Sequence, residues 1–227
     1  MSDGRDGHGG ADQGAGEGAG EGAGEPVGAP VEAPVEGATF SGEDWYARDL
    51  SGRRFGGCSF YDLDWTEGVA EGAVFDACSF SGVRFNAALL THTAFLNCSF
   101  RRCVFFDTRF EQCKAVGSEF RECEAALLRV SGGDWSFTDW AGQDLRGAEF
   151  DGVRMREALL TGARMDKVRV TGVDLSGAAL DRVRLSGADL RGSDLSSLNP
   201  LTARLTGARI DPAQAMVVAV ALGLEIG

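Results

Sequence analysis

The cysteines and histidines are the residues of this sequence with the greatest capacity for metal binding or nucleophilic chemistry. Both uses need clusters, because a metal takes several ligands at short spacing and a reactive thiolate needs a nearby base. The cysteines are instead spaced by multiples of five residues, and His92 is the one histidine among them. This spacing predicts that they pack as small buried side chains, with no metal site and no cofactor. The six are Cys58, Cys78, Cys98, Cys103, Cys113 and Cys123.

Other catalytic arrangements are also missing from the sequence. It contains no Gly-x-Ser-x-Gly and no His-Glu-x-x-His pattern. Closely spaced carboxylates such as Asp62 and Asp64 fall on an exposed convex surface with no sign of a pocket that would suit acid–base catalysis. We therefore predict that the protein has no catalytic residues and is not an enzyme.

The formal net charge of −12 comes mostly from one end of the chain. Residues 1–39 hold eight acidic residues and one arginine, are rich in glycine, and contain no aromatic side chain. Such a segment cannot bury enough apolar surface to offset the entropy of ordering it. We predict a disordered leader over residues 1–37.

Composition also limits location and partners. No apolar run reaches the roughly 20 residues needed to cross a bilayer, and the N-terminus lacks the features of a secretory signal. We therefore expect a cytoplasmic protein without membrane contacts. The acidic excess argues against direct binding of nucleic acid, which takes a basic patch, and favours a basic partner or one that normally holds DNA.

A period of five residues dominates the rest of the sequence. Taking every fifth residue from Phe40 to Ile210, 34 of 35 positions are apolar, the exception being Pro200. The residue two places earlier is small in 28 of 35 cases, and glycine is frequent two places later. A bulky and a small inward side chain followed by a turn describe one short side. Four sides would close a coil of 20 residues, giving about 8.5 stacked coils.

This pattern resembles the pentapeptide repeat family. Gly187-Ala-Asp-Leu-Arg-Gly192, Gly147-Ala-Glu-Phe-Asp-Gly152 and Cys98-Ser-Phe carry the resemblance. It implies an all-β fold, a right-handed quadrilateral β-helix over residues 38–211. Side chains one coil apart, such as Phe60 and Phe80, are then expected to stack.

Both ends of such a coil stack need covering. Charged residues take the small inward position at Glu43, Arg48 and Arg53, so we expect an irregular first coil. Residues 212–227 predict a short C-terminal helix, begun by Asp211 and Pro212. Because this helix is apolar on all sides apart from one glutamine, it needs a cover on both faces. We predict a homodimer through Met216, Val217, Val220 and Leu224; the alternative is that residues 224–227 fold back over the helix.

The uninterrupted register and the terminal helix resemble the MfpA/Qnr-type branch of the family, which protects topoisomerases. The resemblance implies a DNA-mimicking dimer that binds DNA gyrase or another type II topoisomerase and protects it from quinolones or related poisons. The candidate partner-binding residues are Asp44, Asp62, Asp64, Glu67, Glu124, Asp134, Asp139, Asp144, Glu149 and Asp151.

A second class of function fits the same residues. Arg84 interrupts the acidic column that contains Asp64, and the column continues as Arg164 and Arg184. Alternating charges of this kind also form solvated ladders that contribute little individually. The alternative is a structural or adaptor solenoid that binds an unrelated protein.

Overall fold

The computed structural model describes residues 33–227. Most of the predicted disordered leader, residues 1–32, lies outside this range. The repeat begins slightly before the predicted boundary at residue 38, because Val35 pairs with Phe55. At the other end, the last bridge joins Asp189 to Arg209.

Backbone pairing confirms the predicted length of the coil. Paired residues run parallel and lie 20 positions apart on each of four successive sides, so the chain forms a four-sided parallel β-helix. We number the sides by the inward residue at their centre: side 1 contains Phe60, side 2 Trp65, side 3 Ala70 and side 4 Phe75. Each side recurs once in every coil.

Residues 33–227 form one helix and fifteen strands of two or three residues. In chain order these are β1 (Val35–Glu36), β2 (Thr39–Ser41), β3 (Arg54–Gly56), β4 (Ser59–Tyr61), β5 (Val69–Glu71), β6 (Val74–Asp76), β7 (Ser79–Ser81), β8 (Leu89–Thr91), β9 (Ala94–Leu96), β10 (Ser99–Arg101), β11 (Arg109–Glu111), β12 (Glu119–Arg121), β13 (Arg129–Ser131), β14 (Glu149–Asp151), β15 (Arg169–Thr171) and α1 (Pro212–Ala221). Side 4 is the sheet β1-β3-β6-β9, side 1 is β12-β10-β7-β4-β2, and side 3 is β15-β14-β13-β11-β8-β5. Side 2 is held by isolated bridges instead.

Aromatic rings fill the interior in continuous columns, as predicted. On side 1 the ring centroids of Phe60 and Phe80 lie 4.7 Å apart, those of Phe80 and Phe100 4.8 Å, and those of Phe100 and Phe120 4.7 Å. Trp140 continues the column. The ring spacing equals the distance between paired strands, so one bulky residue per side fills each coil and leaves no open channel.

The six cysteines line this interior as small side chains, which was the prediction. All are buried with free thiols. The Cys98 thiol lies 3.3 Å from the carbonyl oxygen of Phe75 and the Cys113 thiol 3.1 Å from that of Leu90, both in the preceding coil. Burial raises the pKa of Cys113 to about 11, so its thiol is protonated at neutral pH. Residues 33–227 contain no cluster of side chains suited to a metal ion.

The first coil is regular, so the expectation of an irregular one was wrong. It has the same bridges and turns as later coils. Glu43 accepts a hydrogen bond from Trp45 Nε1 at 2.8 Å, and the Arg48 guanidinium lies 4.4 Å from the centre of the Trp45 ring. Charges are tolerated at this inward position because the side chains of Glu43 and Arg48 remain exposed while they contact the buried ring.

The predicted C-terminal helix is present as α1. Asp211 caps its N-terminus by accepting the Gln214 N–H, and the Gln214 side chain accepts the Asp211 N–H in return. Gln214 is the buried residue of the helix, and its Nε2 donates to the carbonyl oxygens of Leu190 and Ser193. The one polar residue therefore fastens the helix to the coil stack. Within residues 33–227 no helix has the length and apolarity to cross a bilayer.

Candidate partner-binding surface

Coiling distributes the ten predicted partner-binding acids over all four sides. Half of them meet on side 2, and the rest lie apart from one another. Side 2 carries Asp44, Asp64, Glu67, Glu124 and Asp144; Asp62 and Asp139 belong to side 1, Glu149 and Asp151 to side 3, and Asp134 to side 4. Side 2 is therefore the best candidate surface for a basic partner.

The outward column at the centre of side 2 changes sign along the stack. Bridges join all neighbouring members except Glu124 and Asp144, so elsewhere in the column the side chains project in a row at about the 4.8 Å spacing of paired strands. Acids dominate the first half and arginines the second. The column runs Asp44, Asp64, Arg84, Val104, Glu124, Asp144, Arg164, Arg184 and Arg204.

Some of these acids are paired within the chain. Asp64 Oδ2 lies 3.0 Å from Arg84 Nη2. Asp144 Oδ2 lies 2.7 Å from Arg146 Nη2 and 3.3 Å from Arg164 Nη1. These side chains are partly exposed, so each ion pair contributes little to stability and can exchange for a partner's charge. Pairing nevertheless reduces the negative charge that Asp64 and Asp144 present.

The other acids of side 2 are not compensated in this way. Glu67 accepts a hydrogen bond from the Tyr46 hydroxyl at 2.6 Å, which leaves its charge in place. Asp44 and Glu124 form no ion pair within residues 33–227. Asp44, Glu67 and Glu124 therefore supply most of the free negative charge on this side.

Two of the predicted acids on other sides, Asp139 and Asp134, are paired with arginines. Asp139 pairs with Arg121, whose hydrogen bond holds the pKa of that carboxyl below its usual value. Asp134 Oδ2 lies 3.0 Å from Arg154 Nη1. These pairs keep the carboxylates ionised at neutral pH but offset their charge, so side 1 and side 4 present less of an acidic surface than the sequence alone suggests.

The stack opens locally on side 2, which the sequence reasoning missed. On the neighbouring coils of this side the backbone pairs with the next coil, but within the described chain Ala125 and Leu127 donate no such hydrogen bond to residues 144–146. Gln143 occupies the small inward position here, and its Oε1 accepts the Cys123 N–H at 3.0 Å. The larger side chain thus reaches between the two coils at the point where their backbones do not pair. The sequence did contain a signal for this opening, because Gln143 stands at a position that small residues occupy in most repeats.

A surface groove of about 430 Å³ lies at this opening. Its lining mixes both charge signs with small apolar side chains: Cys123, Glu124, Ala125, Ala126, Asp144 and Arg146. It sits where the outward column changes from acidic to basic. Two large apolar side chains are exposed beside it, Phe106 at 50% and Leu127 at 46%.

The C-terminal helix carries a second apolar surface. Met216, Val217, Val220 and Leu224 are all exposed, between 39% and 61%. Residues 224–227 are exposed as well and leave the helix open. A groove of about 590 Å³ runs along it. These four residues are therefore available for the predicted dimer contact.

The geometry defines a class of protein: a parallel β-helix with five residues per side, a side chain-filled interior and charged outer columns. Residues 129–162 and 158–196 match the family model for pentapeptide repeats, in eight copies. The described repeat domain is thus a pentapeptide repeat β-helix.

Solved structures include similar chains. A trypsin-treated form of QnrB1, described as a plasmid-mediated fluoroquinolone resistance protein, is 20% identical with a TM-score of 0.49, over 86% of this chain and 100% of that one. HetL, a pentapeptide repeat protein involved in heterocyst differentiation regulation in the cyanobacterium Nostoc sp. strain PCC 7120, is 19% identical with a TM-score of 0.40, over 77% of this chain and 84% of that one. Neither likeness bears on function. Comparison with curated proteins gave no match.

Proposed function

We propose that this protein is a non-catalytic, cytoplasmic DNA mimic that binds DNA gyrase or another type II topoisomerase and protects it from quinolones or other poisons. The observation that carries the proposal is the acidic first half of side 2. There, Asp44, Asp64 and Glu124 project from one outward column of a regular stack, and Glu67 lies at the adjoining corner. A groove that holds DNA is basic, and a row of fixed negative charges competes for it through the same electrostatic attraction that DNA uses.

Uncompensated charge makes three residues the centre of this surface. Asp44, Glu67 and Glu124 have no arginine partner in the described chain, and all three are exposed. Asp64 adds charge to the same row, although Arg84 offsets part of it. We therefore place the contact with the topoisomerase on the coils that precede the opening.

Dimerisation through α1 is part of the proposal. Met216, Val217, Val220 and Leu224 are exposed apolar side chains, and the first three line one groove together with Ile226; burying them against a second copy removes them from water. Light scattering of a Val217→Asp, Val220→Asp variant at high salt tests this: the mass should fall to that of one chain. Leu201→Asp is the matched control, since Leu201 is 78% exposed and lies outside the helix.

Binding to purified gyrase tests the acidic surface. Asp44→Asn, Glu67→Gln and Glu124→Gln together should weaken binding at least about tenfold, and wild-type binding should weaken steeply as salt rises. Asp49→Asn, Glu71→Gln and Glu111→Gln remove the same charge from side 3, at residues outside the predicted partner-binding set, and form the control. Equal loss with both triple variants would mean that net charge, not side 2, drives binding.

The alternative, an adaptor solenoid for an unrelated protein, has an observation of its own. Several predicted acids, including Asp134 and Asp139, are offset by arginines and lie on different sides. Exposed Phe106 and Leu127 suit a mixed apolar and polar partner instead. Absence of gyrase binding at low salt, with folding intact, would favour this function.

A further inference from the structure

The outward column of side 2 is complementary to itself when read in the opposite direction. Its eight members from Asp44 to Arg184 follow one another one per coil, and bridges join every neighbouring pair except Glu124 and Asp144, where the stack opens. If a second copy faces this side with its coils running the other way, Asp44 lies opposite Arg184, Asp64 opposite Arg164, and Arg84 opposite Asp144. All three charged pairs have opposite signs, and twofold symmetry repeats each of them.

We propose that side 2 is an interaction surface for a second copy of this chain, bound antiparallel about a twofold axis between the coils of Val104 and Glu124. The axis lies in the interface and runs across the stacking direction. Such a contact is isologous: each pair occurs twice and the surface is closed. This contact involves both the acidic and the basic half of side 2. A uniformly basic partner would bind only the acidic half.

Neighbouring columns fit the same register. At the corner beyond the central column, Glu67 meets Lys167 of the second copy, again with opposite signs. A further outward column lies between the central column and that corner. In it, exposed Phe106 faces Ala126 of the second copy, so a large apolar side chain lies over a small one near the centre of the contact. The innermost pair of the central column is Val104 opposite Glu124, so the centre of the contact combines apolar side chains with one carboxylate from each copy, and the oppositely charged pairs lie around it.

Ion pairs within the chain do not prevent this association. The side chains of Arg84, Arg164 and Arg184 are 57%, 41% and 43% exposed in their pairs. Each can contact a second carboxylate without losing the first, which extends an exposed pair into a network. Arg204 lies outside the described register, because the described outward column of the second copy begins at Asp44, which faces Arg184.

The surface is separate from the apolar face of α1, and the inference does not rest on the proposed function. Contact through side 2 is charge-dependent and weakens with salt, whereas contact through α1 is apolar and persists. Because the same acids are used, association through side 2 and binding of a basic partner exclude each other.

Sedimentation velocity of the full chain tests the proposal at about 0.01 M and about 1 M salt, where the Debye length falls from about 30 Å to about 3 Å. The average mass should be higher at low salt, also in the Val217→Asp, Val220→Asp background. Arg184→Glu should weaken the low-salt association roughly tenfold or more, since it sets like charges opposite each other at two places. Arg204→Glu, in the same column but outside the register, should leave it unchanged.

Exchanging the charges of one proposed pair, Asp44 and Arg184, tests whether these two residues face each other. Asp44→Arg alone should weaken association, and Asp44→Arg combined with Arg184→Glu should restore it, with circular dichroism showing that each variant is folded. A mass that does not change with salt overturns the proposal. So does equal weakening by Arg184→Glu and Arg204→Glu, or a combined variant that stays as weak as the single ones.

Discussion

The side chain of Gln143 accepts a hydrogen bond from the backbone N–H of Cys123 at 3.0 Å, at the one place on side 2 where neighbouring described coils do not pair. Backbone groups are expected to find partners when buried. Gln143 supplies one, but Ala125 and Leu127 lose theirs. A single oversized residue at a small inward position therefore sets the position of the groove.

Replacing Gln143 should close the opening. In Gln143→Ala the small side chain permits residues 123–127 to pair with residues 143–147 as the coils before them do. Hydrogen exchange of the Ala125 amide should then slow, approaching that of Phe105, whose N–H donates to Glu124 O at 2.8 Å. Unchanged fast exchange at Ala125 would show that Gln143 does not hold the coils apart.

The stacked aromatic column should dominate stability. Phe100 is 1% exposed between Phe80 and Phe120, so Phe100→Ala should lower the free energy of unfolding by about 3–5 kcal/mol. Phe106→Ala is the matched control, because Phe106 is half exposed; its effect should stay within about 0.5 kcal/mol. Urea unfolding measures both. Similar losses for the two variants would contradict the packing described.

Alanine substitutions at two glycines distinguish the cost of a strained backbone from the cost of a steric clash. Both Gly133 and Gly142 have a positive φ, of 83° and 70°. A Cβ at Gly142 meets open space, so Gly142→Ala should cost about 1–2 kcal/mol. A Cβ at Gly133 would collide with the carbonyl of Cys113, so Gly133→Ala should cost clearly more. Thermal unfolding compares the two variants. Equal decreases in melting temperature would show that the clash at Gly133 adds nothing to the cost of the backbone strain.

Acid should destabilise the fold over a defined range. The hydrogen bond from Arg121 lowers the pKa of Asp139, and that from Arg191 lowers the pKa of Asp189 to about 2. An unfolded aspartate titrates near about 3.9, so the unfolded chain takes up these protons first as the pH falls. The stabilisation is complete above about pH 4 and is lost between about pH 4 and 2.

Urea midpoints across that range measure this loss. The midpoint should be level from neutral pH to about pH 4.5 and then fall, and Asp139→Asn should flatten part of the decrease. Both carboxylates are partly exposed at the surface, where water screens their ion pairs, so the individual effects are small. A midpoint that rises as the pH falls below about 4 would contradict the assignment.

The repeating parts of the structure could be predicted because the same five-residue pattern occurs many times in the sequence. Phe60, Phe80 and Phe100 are spaced by one coil each, and a coil of constant length places them in one column whatever the details of each turn. Asp211 and Pro212 likewise fix the start of the helix through local hydrogen bonding and φ alone.

Features that depend on single residues were harder to predict. Whether the Gln143 side chain reaches the Cys123 N–H depends on how far the two neighbouring coils move apart to accommodate it. The five-residue period of the sequence carries no information about that displacement. Similarly, the pairing of Asp144 with Arg146 depends on the corner that brings residues two places apart together. The sequence placed Asp144 among the exposed acids, but only coordinates show how much of its charge remains available.

Displacement of labelled duplex DNA from purified gyrase is the most direct test of the proposed function. Wild-type protein should displace the duplex at low salt and micromolar concentration, and the variant with Asp44→Asn, Glu67→Gln and Glu124→Gln should not. Gyrase that keeps its DNA at every protein concentration, or that binds protein and DNA together, would contradict DNA mimicry through side 2.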